Sequence, residues 1–248
     1  MPVQPTYPGV YIEELPSGVR TITGVATSIT GLIGKALRGP TDQPITITSF
    51  ADYERIFGGL HRDIMLSYAV RDFFLNGGGQ AVIVRLYKAT GGSASKATYE
   101  VPSLTLQAAS EGAWGMQVRA RVDKKIVTDP NLIAVATRLA VQPADLFDLT
   151  IRDAGTGVTE IFLNLTTKES ARRADRVLLA ESNLVRVTTA LPSNTSPSAH
   201  AGALTDADVW TSATKSTAAK NAAPADVAVD SAALDGAAYK GSQSAKTG

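Results

Sequence analysis

Between Phe50 and Arg85 the apolar pattern changes from a helical spacing of three and four to an unbroken run, a switch that few folds can accommodate in so short a stretch. Phe50, Tyr53 and Phe57 recur at i, i+3 and i+7, which lines one helix face with aromatic rings. Ser49 stands three residues before Asp52, a variant of the capping pattern that starts a helix, and Gly58-Gly59 stops it. A second helix is expected from Ile64 to Leu75, with Met65, Leu66, Ala69, Val70 and Phe73 as its apolar stripe and Asn76-Gly77 as its terminator. Residues 80–87 (QAVIVRLY) then read as a buried strand. Upstream, residues 25–36 (VATSITGLIGKA) read as a buried strand rich in small residues. Gly39-Pro40 reads as a turn, and Ile45 with Ile47 as a short extended piece. Strand, helix, helix, strand in this order predicts an α/β layer.

Beyond the glycine- and serine-rich stretch at 88–98 the pattern is mainly β. Leu104 and Leu106 alternate, as do Met116, Val118, Ala120 and Val122, and then Phe147, Leu149 and Ile151. Residues 153–157 (DAGTG) suit a hairpin loop, with Ile161, Leu163 and Leu165 on the return strand. One helix is expected over Lys168 to Ser182, with Thr166 and Glu169 as its capping box and Ala171, Ala174, Val177 and Leu178 as its stripe. Residues 191–248 are rich in Ala, Ser, Thr, Asp and Gly and predict long, weakly cored loops with a few short strands. At the other end, Pro2, Pro5, Pro8 and Pro16 block a helix over residues 1–18, while Val10 and Ile12 alternate with Tyr11 and Glu13 as in a strand. Such a segment either pairs within its own sheet or adds a strand to a neighbour's. The class predicted from all this is α+β.

The chain offers little chemistry. It has no cysteine, which removes disulfides, thiolate metal sites and cysteine nucleophiles. Its 24 basic and 23 acidic residues leave a net charge of +1, too little field to gather nucleic acid or anionic lipid. The N-terminus lacks the layout of a signal peptide, and no apolar run is long enough for a membrane span. Two histidines exist. His61 with Asp63 could form a general base and its orienter, as in a hydrolase, but no nucleophile motif accompanies them, so His61 reads as a solvated loop residue. His200, in low-complexity sequence, reads the same way. Gly77-Gly78-Gly79 follow a helix and precede a strand, the reverse of a phosphate loop, and read as a helix terminator. Glu13 and Glu14 point to opposite faces of an extended segment and cannot cooperate in glycoside hydrolysis. They either pair with a partner's charges or are solvated. Trp114 reads as a plug at the end of a β-sandwich; an exposed ring there would stack on sugar. The triplets at Asn164 and Asn194 read as chance glycosylation matches. No catalytic, cofactor-binding or metal-binding residue is expected, and the chain does not read as an enzyme.

Four stretches nonetheless resemble one family. PTYPGVYIEELPSG (5–18), TGVATSITGLIG (23–34), SFADYERIFGG (49–59) and SYAVRDFFLNGGGQAVIVR (67–85) are similar in order and spacing to the N-terminal part of contractile tail sheath proteins, found in bacteriophages and phage-tail-like particles. EGAWGMQVRARVD (111–123) resembles a segment of that family's variable β domain. The resemblance implies an extended N-terminal arm at 1–18, an α/β portion of the inner sheath domain at 19–90, a β-rich inserted outer domain at 91–238, and a lead-in to a C-terminal domain at 239–248. It implies a structural subunit, without cofactor, that polymerises as stacked hexameric rings around a tail tube and contracts to drive the tube through a cell envelope. Arm residues Thr6, Tyr7, Pro8, Gly9, Val10, Tyr11, Ile12, Glu13 and Glu14 would add a strand to an adjacent subunit. The implied partners are other sheath subunits, the tail tube protein, and baseplate and tail terminator proteins, with no nucleic acid and no membrane insertion. The implied location is the virion tail or a similar particle assembled in the bacterial cytoplasm. The alternative is a β-rich surface or glycan-binding module of a tail particle.

Overall fold

The computed structural model of the protein describes residues 29–91, 95–101, 103–188, 191, 195–203, 207–211, 221–235 and 239. The expected arm, Thr6 to Glu14, lies outside them, as do residues 25–28 of the first expected strand. The described residues form a mixed α+β structure with two main cores.

In the first, strand β1 (Ile29–Gly34) runs parallel to β3 (Gln80–Arg85), and β2 (Pro44–Ile47) pairs antiparallel on the other side of β3. Helices α1 (Phe50–Phe57) and α2 (Met65–Leu75) connect β2 to β3. Helix α1 starts where the Ser49 hydroxyl accepts the Asp52 amide at 3.1 Å, and stops at Gly58, whose φ of 80° suits glycine. Phe50, Tyr53 and Phe57 stack along one face, with ring centroids 5.9 and 5.3 Å apart. Tyr53, Phe57, Leu66 and Val70 then pack with Ile47, Ala81 and Ile83 of the sheet.

Two expectations are corrected here. Strand β1 is not buried throughout but alternates between exposed and half-buried positions, because the helices cover one side of the sheet only. In α2, Leu66, Ser67 and Val70 face the sheet, while Ala69 is exposed and Met65 is 77% exposed. Met65 precedes Leu66 by one position, a turn of about 100° that carries it off the buried face.

The second core joins two antiparallel sheets. One has the order β4 (Thr98–Val101), β5 (Leu104–Ala108), β9 (Val185–Val187). The other has the order β6 (Val118–Asp123), β7 (Phe147–Asp153), β8 (Thr159–Leu165). Tyr99, Leu106, Val118, Val122, Leu149 and Ile151 meet between them, joined by Ala174, Val177 and Leu178 of helix α4 (Ala174–Glu181). Trp114 packs against this core and donates its ring N–H to the Glu111 carbonyl at 3.2 Å, so it plugs the core as expected.

Three further expectations change. The pairing of β7 with β8 shifts register between Phe147 and Leu149, which turns Phe162 and Leu165 inward and leaves Ile161 60% exposed and Leu163 exposed. The last helix begins at Ala174 and not Lys168: the Thr166 and Ser170 hydroxyls accept the Lys168 and Arg172 amides and hold local turns there. Glu169 serves not as a cap but as the partner of Arg173 at 2.7 Å and Arg176 at 2.6 Å. Helix α3 (Pro130–Leu139), absent from the sequence reading, grows from the β6–β7 connection. Asp129 caps it, Pro130 opens it, and Leu132, Ala136 and Leu146 form a small separate core.

Residues 221–235 are more tightly held than weakly cored loops would be. Ala222 exchanges two backbone hydrogen bonds with Ala120 of β6, Ala225 donates to Thr98 of β4, and Ala232 donates to Lys88 just beyond β3. Asn221 is fully buried and donates its side-chain amide to the Val209 carbonyl. Among the described residues no helix is long and apolar enough to cross a membrane.

Candidate functional site

Two features of the first sheet stand out: an open edge and a buried arginine at its junction with the second core. Among the described residues no strand pairs with the outer edge of β1. That strand, ITGLIG, carries neither charge nor proline, the usual means of blunting an edge. On the sheet face away from the helices, Ile29 is 48% and Ile33 is 56% exposed, beside half-buried Val82 and Val84. A groove of about 420 Å³ follows the same edge, lined by Leu32, Ile33, Lys35, Met65, Leu234 and Tyr239, which accounts for the exposure of Met65. An edge and an apolar face of this kind can accept a strand through its backbone and cover its side chains in the same step.

The opposite side of β3 ends in Arg85, which is 1% exposed. Its guanidinium donates to the Ala36 carbonyl at 3.1 Å, the Gly39 carbonyl at 2.8 Å, and the Glu111 carbonyl at 2.8 Å. The Glu111 carboxylate lies 3.4 Å away and also pairs with Lys96. Burial pulls the Arg85 pKa down, and Glu111 pulls it back up. The loop that carries Glu111 is fastened twice more: Gly39 donates to the Ser110 hydroxyl and Gly112 donates to the Ser95 carbonyl, each at 2.9 Å. These bonds tie the β1–β2 connection to the entrance of β6.

Gly112 is required by this junction. Its φ is 124°, and a Cβ there would lie 2.7 Å from the Leu37 carbonyl oxygen. Gly112→Ala is therefore expected to lower stability by roughly 2–3 kcal/mol, combining an unfavourable φ with a steric shift. Chemical denaturation measures it; a change below about 0.5 kcal/mol would show that the junction yields without cost.

The remaining sequence candidates are not brought together. His61 Nδ1 accepts the Asp63 amide at 3.4 Å, whereas the Asp63 carboxylate pairs with Arg62 at 3.3 Å, so Asp63 does not orient the ring as a hydrolase would need. The nearby Ser67 hydroxyl donates to the Ile64 carbonyl instead of to His61. His200, read as a solvated loop residue, is 6% exposed, because its ring lies on the edge of β6. Among the described residues no group of three metal-ligating side chains occurs. Arg85 and Glu111 were not singled out by sequence reasoning, since nothing local marks them as partners.

No family model matches the chain, and no curated protein does. Among solved structures, the chain is similar to the sheath tail protein of Listeria innocua at 17% identity and a TM-score of 0.41, over 65% of this chain and 30% of that one. It is similar to the sheath tail protein of Desulfitobacterium hafniense at 19% identity and a TM-score of 0.41, over 77% of this chain and 38% of that one. The matched part thus spans well under half the length of either structure.

Proposed function

We propose that the chain is a structural subunit of a contractile tail sheath and not an enzyme. It assembles with other copies as stacked hexameric rings around a tail tube, between a baseplate and a tail terminator, and contracts to drive the tube through an envelope. The observation that carries this reading is the ordered set of sequence motifs between residues 5 and 85. The geometry of those residues supports it: the described ones build a small sheet whose β1 edge and adjoining apolar face stand open. In this reading sheath assembly covers that face. The arm from Thr6 to Glu14 adds a strand to an adjacent subunit.

Contraction needs links that hold while bodies rotate. Backbone hydrogen bonds between an arm and a neighbour's sheet meet that need, because they fix the joint while the chain beside it swings. Deleting residues 1–14 is expected to leave a folded subunit that makes no tubes in electron micrographs. Striated tubes of normal length from the deleted protein would remove the arm from the mechanism. The glycan-binding alternative loses its support with Trp114, whose ring is packed on the core and whose N–H is already bonded.

A further inference from the structure

Strand β6 is the edge of its sheet, yet loop segments lie along it in place of a strand. At Ala120 the cover is Ala222, bonded through backbone in both directions. At Val122 the cover is His200, and here the two bonds differ in kind. The His200 amide donates to the Val122 carbonyl at 2.9 Å, as a strand would. The Val122 amide, however, donates to the His200 ring at Nδ1, also at 2.9 Å. A ring nitrogen thus stands where a strand would place a carbonyl. To accept that bond the imidazole must be neutral, with its proton on Nε2.

We propose that His200 is an acid-operated latch: as a neutral acceptor it holds residues 199–202 over the edge of β6, and its protonation releases them and bares that edge.

A proton on Nδ1 turns the acceptor into a donor facing a donor. The charged groups that face the ring come from β6 itself. Arg121 is 1% exposed and reaches the same segment, donating to the carbonyls of Ala201 at 3.1 Å and Gly202 at 2.6 Å, while its Nε and Nη2 also donate to the Asp123 carboxylate at 3.0 and 2.8 Å. Residues 195–203 carry no titratable side chain other than His200, and the neighbouring cover at Ala222 is uncharged. Burial of the ring, and then the Arg121 charge, hold the His200 pKa below its ordinary value, and the opposing pull of Asp123 does not reverse it. Because the folded value lies below the unfolded one, this contribution to stability is complete above about pH 6.5 and is lost as the pH falls through the folded value.

The test is hydrogen exchange at the Val122 amide in the whole chain, corrected for intrinsic rates, between about pH 8 and about pH 5. Protection of Val122 is expected to drop about ten- to a hundred-fold as the ring takes its proton, while the amides of β7 stay protected. His200→Gln supplies an amide oxygen that accepts but does not titrate, and is expected to hold Val122 protected throughout. His61 is the only other histidine, so the two ring signals are readily separated and the His200 titration can be followed in the unaltered chain. Loss of Val122 protection at the same pH in His200→Gln, or its persistence in the unaltered chain after the ring is protonated, would overturn the proposal. If the glutamine variant does not fold, the comparison of ring and amide in the unaltered chain decides alone.

Discussion

Arg85→Ala is expected to lower the stability of the chain by about 3 kcal/mol or more, the largest loss from any single side chain considered. The guanidinium is 1% exposed and donates to three carbonyls; those of the buried Ala36 and the half-buried Gly39 lose this partner, while that of Glu111 keeps the Trp114 ring N–H. Each acceptor left unpaired costs on the order of 1 kcal/mol or more. The Glu111 carboxylate is less exposed to loss, because it is 18% exposed and keeps Lys96 at 3.4 Å, so the effect comes mainly from the carbonyls. For a chain of this length the midpoint of thermal unfolding should fall by about 10 °C. Arg85→Lys should not restore it, since one ammonium on a flexible stem cannot serve three carbonyls set around a planar fork. Calorimetry on both variants checks this. If Arg85→Ala melts within about 2 °C of the parent, the junction is held by the surrounding backbone and not by the arginine.

That junction also shows what the sequence could not disclose. Helix α1 and strand β3 were legible because their signals are local: three aromatic residues on one face, a capping serine, then a short unbroken apolar run. Arg85 drew no attention within the expected strand 80–87, because Glu111 lies 26 residues further along and nothing near either residue marks the pairing. His200 was misread for the same reason. Its partner Val122 is 78 residues away, and its small neighbours show no period. Residues 221–235 are stitched on by backbone bonds to Ala120, Thr98 and Lys88 and by side-chain bonds from Thr98 to Asp226, Ala113 to Asp230 and Lys88 to Ser231 and Asp235, whose partners lie more than 100 residues away and leave no local pattern. Helix α3 is a different case. Asp129-Pro130 followed by Leu132, Val135, Ala136 and Leu139 is a proper start signal and stripe, so this helix is written locally in the sequence. The open edge of β1 was obscured because a run of apolar and small residues cannot say which of its two faces is covered.

The largest functional effect is expected from the face of the first sheet that no described element covers. Ile33→Lys combined with Val82→Lys places two charges on the open side of the first sheet, where Ile33 is 56% exposed and Val82 is half-buried. Neither side chain belongs to the packed side of the sheet, so within this 248-residue chain the pair should change stability by less than about 1 kcal/mol. Lysine also tends to protect an open edge from pairing. If sheath assembly covers this face, the same pair buries two unpaired ammonium groups there, each costing several kcal/mol, and tubes should be absent. The two measurements separate the causes. Unfolding of the isolated chain by both lysines would mean that the face is already part of its own core. Normal tubes bearing both lysines would mean that the open face of β1 and β3 has no place in assembly. A chain that stays folded while assembly is lost would tie the exposed isoleucines of β1 to the architecture of the particle.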